Sequence, residues 1–272
     1  MKKKDMGKKE GMGKKVWKTV ASLVLIGMPL ILATCSEKQE KSMEMDFSKE
    51  TEMQEIATHV ESTAEIDAED PENPAGKLQN THACSMVRVQ SGNLIGSGVI
   101  IEADSLCLRV ATAAHVLEKW DGAAKITFDD GFEVSADKLI KAEKQDLAIL
   151  EIPRDALLEK DGMNVITDHG QVIKSATFDQ QAYDNLENGD LVIALGSRTG
   201  VGEDAYAGVI LQDYAYFADF DAYMILADVM VTPGMSGGGL FDAKGNLLGV
   251  ICGISEEGEV AVAPAIGLLV ME

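Results

Sequence analysis

Cysteine and positive charge are both in short supply in this sequence, and each shortage excludes something. Four cysteines occur, Cys35, Cys84, Cys107 and Cys252. Cys35 falls in an N-terminal address segment, and the odd number left over rules out a regular framework of paired disulfides. At least one of Cys84, Cys107 and Cys252 therefore keeps a thiol or bonds another chain. Against 45 Asp and Glu there are only 24 Lys and Arg, a formal charge of −21. That charge argues against a nucleic-acid partner and against broad electrostatic attachment to anionic lipid. With four histidines, no zinc-type spacing and no glycine-rich phosphate loop, neither a metal nor a cofactor is expected. Acidic turns such as Phe128-Asp129-Asp130-Gly131 read as solvated hairpin tips in preference to calcium sites.

What is present divides the chain into three materials. Met1 to Lys18 is crowded with lysines, and Thr19 to Thr34 (TVASLVLIGMPLILAT) is uncharged and mostly apolar. This is the pattern of an export signal, or of a marginal membrane-anchor helix if it is retained, with the lysines left on the cytoplasmic side. Cys35, after Leu32-Ala33-Thr34, resembles the lipidated cysteine of a bacterial lipobox, although that pattern prefers a smaller residue at Thr34. Residues 36–80 are rich in Glu, Asp, Lys, Thr and Met, and they cannot bury enough apolar surface to offset chain entropy. They are expected to form a disordered acidic linker, with a transient helix over Met45 to Ser62 and an incidental His59.

From Thr81 the pattern changes to short strands between glycine and acidic turns, which suggests β-barrels. A first set is expected at Ser85–Gln90, Gly96–Ile101, Leu106–Thr112, Lys125–Phe128, Phe132–Ser135 and Asp146–Ile152. A second set is expected at Gln171–Thr177, Asp190–Leu195, Tyr206–Asp213, Tyr223–Asp228, Gly239–Asp242, Leu247–Gly253 and Val260–Ala263. The hydrophobic content of 46% suits one mid-sized domain or two small ones, plus tails.

The chemistry gathers around Thr232-Pro233-Gly234-Met235-Ser236-Gly237-Gly238-Gly239-Leu240, a serine set among four glycines ahead of an apolar strand. Such a turn can present a hydroxyl outward beside converging backbone N–H groups, which is what acyl transfer needs. A glycine-rich hairpin with an incidental serine is the plainer alternative. Upstream, His115 lies in ATAAHV, and Asp146 opens the apolar strand DLAIL about thirty residues later, with Ser236 about ninety after that. ATAAHV, DLAIL and GMSGGGL in this order resemble the trypsin/chymotrypsin superfamily of serine proteases, whose triad order is His, Asp, Ser. Val192 to Ser197 and Asp228 to Gly234 are similar to its bacterial HtrA/Deg branch, and the resemblance covers roughly residues 81 to 272.

The resemblance implies an all-β, two-barrel chymotrypsin-like fold, with a first barrel over about 81–158, a linker near Pro153 to Gly162, and a second barrel over about 165–272. It implies that His115 and Asp146 come from the first barrel and Ser236 from the second. His115 would be the base, Asp146 its orienting acid, Ser236 the nucleophile, and the N–H groups of Gly234 and Ser236 the oxyanion hole. It also places Cys252 near Asp146, and lines the substrate pocket with Met230 on one wall and Gly253, Ile254 and Ser255 on the other. No carboxylate stands at Met230, so medium aliphatic side chains are expected in preference to Arg or Lys. Met235 stands where pancreatic-type proteases carry an aspartate that meets a freed N-terminus, so no activating cut of that kind is expected. Gly239 replaces the proline that commonly follows Ser-Gly-Gly. No PDZ-like module is expected to follow, and a monomer is expected. The function so implied is an exported, membrane-tethered serine endopeptidase acting on envelope or extracellular proteins and peptides. The alternative is a catalytically silent binding or sensor module on the same scaffold.

Overall fold

Alternating apolar residues along the chain from Met86 onward put one face of each strand in a core, and the glycine and acidic turns set the strand lengths. The computed structural model describes residues 17–19, 22–23, 82–103, 107–160, 164–167, 169–197, 204–255 and 257–271. The expected linker at 36–80, His59 and the lipidation site Cys35 lie outside the described residues. Among these residues no helix is long and apolar enough to cross a membrane.

The first barrel-like sheet is built from β3 (Met86–Ser91), β4 (Leu94–Ala103), β5 (Cys107–Ala113), β6 (Ala124–Phe128), β7 (Glu133–Ala136), β8 (Lys138–Lys141) and β9 (Leu147–Pro153). Its strand order is β7-β6-β3-β4-β5-β9-β8. A two-stranded ribbon, β10 (Leu158–Lys160) and β11 (Asn164–Ile166), follows. The second sheet takes β12 (Leu191–Gly196), β13 (Asp204–Phe217), β14 (Ala222–Val229), β15 (Gly239–Asp242), β16 (Leu247–Ser255) and β17 (Val260–Pro264). It runs β16-β15-β12-β13-β14-β17, and pairing of β17 back to β16 closes it.

Period-two alternation also joins the barrels. On β12, Val192 and Ala194 belong to the interior cluster of the second barrel, whereas Ile193 and Leu195 belong to the cluster that runs into the first. On β16, Leu248 and Ile251 face the interior cluster, and Val250 and Cys252 face the shared one. Each large side chain buried on that shared face contributes about 1.5–3 kcal/mol, so the two halves dock through an apolar seam.

Several elements differ from expectation, the β10–β11 ribbon in the expected linker among them. Gln171–Thr177 alternates like a strand but makes only isolated bridges, Val172 to Ile166 and Thr177 to Asn246. Its N–H groups go singly to different partners, Lys174 to Cys84 O and Ala176 to Ile100 O, so it is a strap across the first sheet. Lys138–Lys141 is an additional edge strand, with a lysine at each end of the kind that discourages further pairing. Of the apolar stretch Thr19 to Thr34, expected as a signal or anchor helix, Thr19, Ser22 and Leu23 are described and extended, and the rest lies outside the described residues. β1 (Trp17–Thr19) pairs with Gly253–Ser255 of β16, and β2 (Ser22–Leu23) pairs with Leu94–Ile95 of β4. The physical reason is that both barrels leave backbone donors and acceptors along these edges, and an extended segment satisfies them where a helix would not.

Candidate active site

Asp146 and His115 form the most heavily bonded part of the site. β5 ends at Ala113, and a short 3-10 turn, Ala114–Leu117, carries His115 into the barrel interface, where the residue is buried. Facing it, the chain enters β9 through Gln145 (φ +71°) and Asp146 (φ +54°). Left-handed backbone is unusual for residues with side chains, and aspartate is among those that tolerate it best. The turn aims the carboxylate backward. Asp146 Oδ1 accepts the His115 backbone N–H at 2.9 Å and Oδ2 meets His115 Nδ1 at 2.6 Å, while Asp146 O accepts the Ala114 N–H at 2.8 Å. The ring and its backbone are therefore both set by one residue, and Nε2 is left pointing elsewhere.

Beneath this turn lies Cys252, fully buried, with its sulfur 3.6 Å from Gln145 O and 3.8 Å from Asp146 O. Burial first, and then the neighbouring Asp146 charge, push its thiol well above the usual range. A thiol so protonated is inert as a nucleophile. On the outer side, Lys144 pairs with Asp221 at 2.6 Å across to the β13–β14 turn. Both groups are mostly exposed, so the pair contributes little.

The Ser236 loop is pressed against β4. Ser97 N–H donates to Ser236 O at 2.7 Å, and Gly237 N–H donates to Ile251 O at 2.8 Å. Gly237 has φ +86°, and a Cβ there would lie 2.1 Å from Ser97 O and 2.2 Å from Thr112 Oγ1. Only glycine fits. Gly96 serves the same closeness from the other side, since its Cβ would lie 2.6 Å from Val116 Cγ2 and 2.7 Å from Ser236 O. The residue after His115 and the Ser236 backbone thus abut one spot on β4. Ser236 is fully buried. Among the described residues, neither its hydroxyl nor His115 Nε2 makes a hydrogen bond. Catalytic hydrogen bonds of this kind are often long without substrate and tighten when it binds.

Ser97 has no motif to mark it in the sequence, and it organises the loop. Its hydroxyl donates to Gly234 O at 2.8 Å and accepts the Ser197 N–H at 2.9 Å. Its carbonyl accepts the Thr112 hydroxyl at 2.8 Å. One small side chain from the first barrel thereby pins two loops of the second, and holds Gly234, at φ +100°, in its turn. Among the described residues, neither the Gly234 nor the Ser236 N–H is taken by a backbone acceptor. Met235 packs wholly inside the second barrel, where its side chain touches the Gly196 turn. Met230 and Ile254 are half-buried against that same cluster, while Gly253 and Ser255 are buried in β16.

The remaining described histidines are satisfied elsewhere. His82 packs on Phe241, with ring centroids 4.6 Å apart, and burial lowers its pKa. His169 reaches Asp130 O at 3.0 Å. In the acidic turn, the Asp130 carboxylate is occupied by the Phe132 N–H and the Thr167 hydroxyl.

A family model for the trypsin-like peptidase domain matches residues 96–250. The chain is similar to a probable periplasmic serine protease do/HhoA-like of Haemophilus influenzae, 32% identical over 161 residues, covering 57% of this chain and 30% of that protein. It is also similar to the periplasmic serine endoprotease DegP of Escherichia coli, 29% identical over 158 residues, covering 57% and 29%. The chain spans about 30% of the length of these curated relatives. Among solved structures, the HtrA-type protease AlgW with a tripeptide superposes with a TM-score of 0.55 at 23% identity, covering 71% of this chain and 60% of that one. Rv3671c from M. tuberculosis, in an inactive form, superposes at 0.56 and 20% identity, covering 76% and 91%.

Proposed function

The chain belongs to the trypsin-like peptidase family, and from that premise we propose that it is a serine endopeptidase acting outside the cytoplasm on proteins or peptides. The observation that carries this reading is the His115–Asp146 pair, joined by two hydrogen bonds and braced by a third from the Ala114 N–H, beside the buried Ser236 loop. His115 Nε2 takes the Ser236 proton as the hydroxyl oxygen attacks the scissile carbonyl, and then returns it to the leaving amine. Asp146 keeps the Nδ1 proton in place and stabilises the imidazolium. The N–H groups of Gly234 and Ser236 receive the oxyanion, each donor being worth about 3–4 kcal/mol in the transition state. The apolar side chains of Met230 and Ile254, with Gly253 and Ser255 alongside, favour a medium aliphatic residue before the cut.

Export is supported by the lysine-rich start and the uncharged stretch from Thr19 to Thr34, and by relatives described as periplasmic. That stretch, or lipid on Cys35, would tether the enzyme to the envelope. Met235 occupies an apolar pocket, so activation needs no new N-terminus to meet a carboxylate at that position.

A second reading is a silent binding module, favoured by the missing hydrogen bond between Ser236 and His115. Labelling by a fluorophosphonate separates the two. The peptidase reading expects labelling of the full chain that disappears in Ser236→Ala and in His115→Ala. An unlabelled wild-type chain, or labelling that persists in Ser236→Ala, overturns it.

A further inference from the structure

Aromatic residues make up only 5% of this chain, yet four of its five tyrosines gather on one face beside the second barrel. From Ala215 opposite Met224 to Phe217 opposite Ala222, β13 and β14 pair only with each other among the described residues. Period two sorts this ribbon into faces. Ala215, Phe217, Ala222 and Met224 are buried in the shared core. Tyr214, Tyr216 and Tyr223 stand on the other side, 63%, 48% and 42% exposed. The Tyr214 and Tyr223 rings stack 4.2 Å apart and 2° from parallel, and Tyr216 meets Tyr223 edge-on at 5.3 Å. Tyr183, on the short helix α1 (Gln180–Asp184), lies alongside, its pKa raised by burial first and then by Asp213, Tyr214 and Asp184.

One cross-strand aromatic pair is enough to steady a ribbon; three rings in water with a fourth beside them go further. Large aromatic side chains carry most energetic weight when covered, and an exposed cluster of them marks an interaction surface. The surrounding charge says what would cover it. Asp204–Asp228 holds five aspartates and Asp179–Asp190 four acidic residues, with no Lys or Arg in either stretch. Asp213 and Asp184 border the rings at Tyr183. At the other end Tyr216 donates to Asp221 Oδ1 at 2.7 Å, and Asp221 Oδ2 holds Lys144 at 2.6 Å. Lys144, reaching in from the first barrel, thus shows the pairing this face favours, a cation on a carboxylate beside a tyrosine. An anionic partner would be repelled, and an apolar one would bury the carboxylates unpaired. A guanidinium suits both features, since it stacks flat on an aromatic ring and gives its N–H groups to carboxylates.

We propose that this tyrosine face docks an arginine-bearing, extended segment of the substrate protein, apart from the pocket that takes the residue before the cut. The proposal deepens the serine endopeptidase reading and rests on it. Lys144 stands two residues before Asp146, so one end of the face lies within a few residues of the catalytic pair. Docking there while another segment fills the cleft is attachment at two points, which raises the effective concentration of the bond to be cut. Such binding is the same in ground and transition states, so it acts on KM and leaves kcat alone.

Binding is read on the full chain carrying Ser236→Ala, so that nothing is cut, with a fluorescein-labelled Gly-Arg-Gly-Arg-Gly-Arg-Gly peptide as probe. Tyr214→Ser with Tyr223→Ser is expected to weaken binding at least tenfold. Tyr214→Phe with Tyr223→Phe should keep it, and citrulline in place of arginine should abolish it. These changes to the chain leave its formal charge of −21 as it is, so equal binding by the serine variant would mean unspecific attraction and overturn the proposal. Three other results overturn it too: a chitooligosaccharide bound in place of the peptide, tighter binding of a peptide of the chain's own lysine-rich residues 2–18, or a dimer in sedimentation that the serine variant dissolves. If the double variant melts early, Tyr214→Ser alone, at the most exposed ring, gives the same reading. In the active enzyme the serine variant should raise KM for arginine-tagged casein about tenfold with kcat unchanged, a split that damaged folding would not produce. A chain that takes a fluorophosphonate but does not bind the peptide loses the docking face and keeps the peptidase reading. One that binds the peptide and never takes the probe loses the peptidase reading, and with it the role of this face in substrate choice.

Discussion

Replacing Asp146 by asparagine inverts the site without disturbing its frame, and the geometry says why. Asp146 Oδ1 accepts the His115 backbone N–H at 2.9 Å, and Oδ2 meets Nδ1 at 2.6 Å. Asparagine has one oxygen and one amide nitrogen to fill these places. The backbone N–H is a fixed donor, so the oxygen must stay with it, and the NH2 group then faces Nδ1. Nδ1 has to become the acceptor, which moves the ring proton to Nε2, where it cannot receive the Ser236 proton. The imidazolium also loses its counter-charge. A ring trapped in the wrong tautomer costs serine proteases about 10⁴-fold in kcat, or about 5.5 kcal/mol of barrier. Stability should scarcely change, because both side-chain contacts persist and asparagine tolerates the φ of +54° at this position. The assay pairs the rate of fluorophosphonate labelling with hydrolysis of unfolded casein, and thermal melting controls for the fold. Asp146→Asn within tenfold of wild type in both rates, with an unchanged melting temperature, would refute the reasoning.

Two further substitutions probe what surrounds the site. Ser97→Ala removes the hydroxyl that accepts the Ser197 N–H and donates to the buried Gly234 O, and losing the donor to that carbonyl costs about 1–3 kcal/mol. Chemical denaturation should show lower stability, and probe labelling should slow by more than the unfolded fraction accounts for; unaltered labelling in the folded fraction would remove Ser97 from the site. Glu151 is buried between Lys138 and Arg109, and the Lys138 hydrogen bond, followed by the charge of its cationic neighbours, holds its carboxyl below the ordinary glutamate value. A lowered folded-state pKa stabilises fully above the unfolded value of about 4.3 and is lost as pH falls through the folded one. Melting temperature should therefore drop less steeply between about pH 5 and pH 3 in Glu151→Gln than in wild type, and parallel curves would contradict this.

Most of the strand pattern was legible because alternation and glycine turns are local signals. β9 and β16 are read directly from DLAIL and LLGVICG. Gln171–Thr177 alternates equally well, but its partners were decided by where the folded sheets left acceptors. The strands at Trp17–Thr19 and Ser22–Leu23 have the same origin. Their composition reads as an export signal, while their pairing depends on edges that exist only once both barrels have formed. His115, Asp146 and Ser236 were visible as types in order. The backward-facing turn at Gln145 and Asp146 was not, since left-handed non-glycine backbone carries no clear sequence mark. Ser97 was invisible for a plainer reason: its hydroxyl acts on Gly234, 137 residues away, and nothing beside it in the chain records that contact.

Catalysis as proposed needs His115 and Asp146 to act as one device upon Ser236. The most direct measurement is the second-order rate of Ser236 labelling in His115→Ala, Asp146→Ala and the double variant. Groups that act as a unit lose their effect together, so the double variant should react no more than a few-fold slower than His115→Ala alone. If the two losses instead multiply, the residues act separately and the device does not exist.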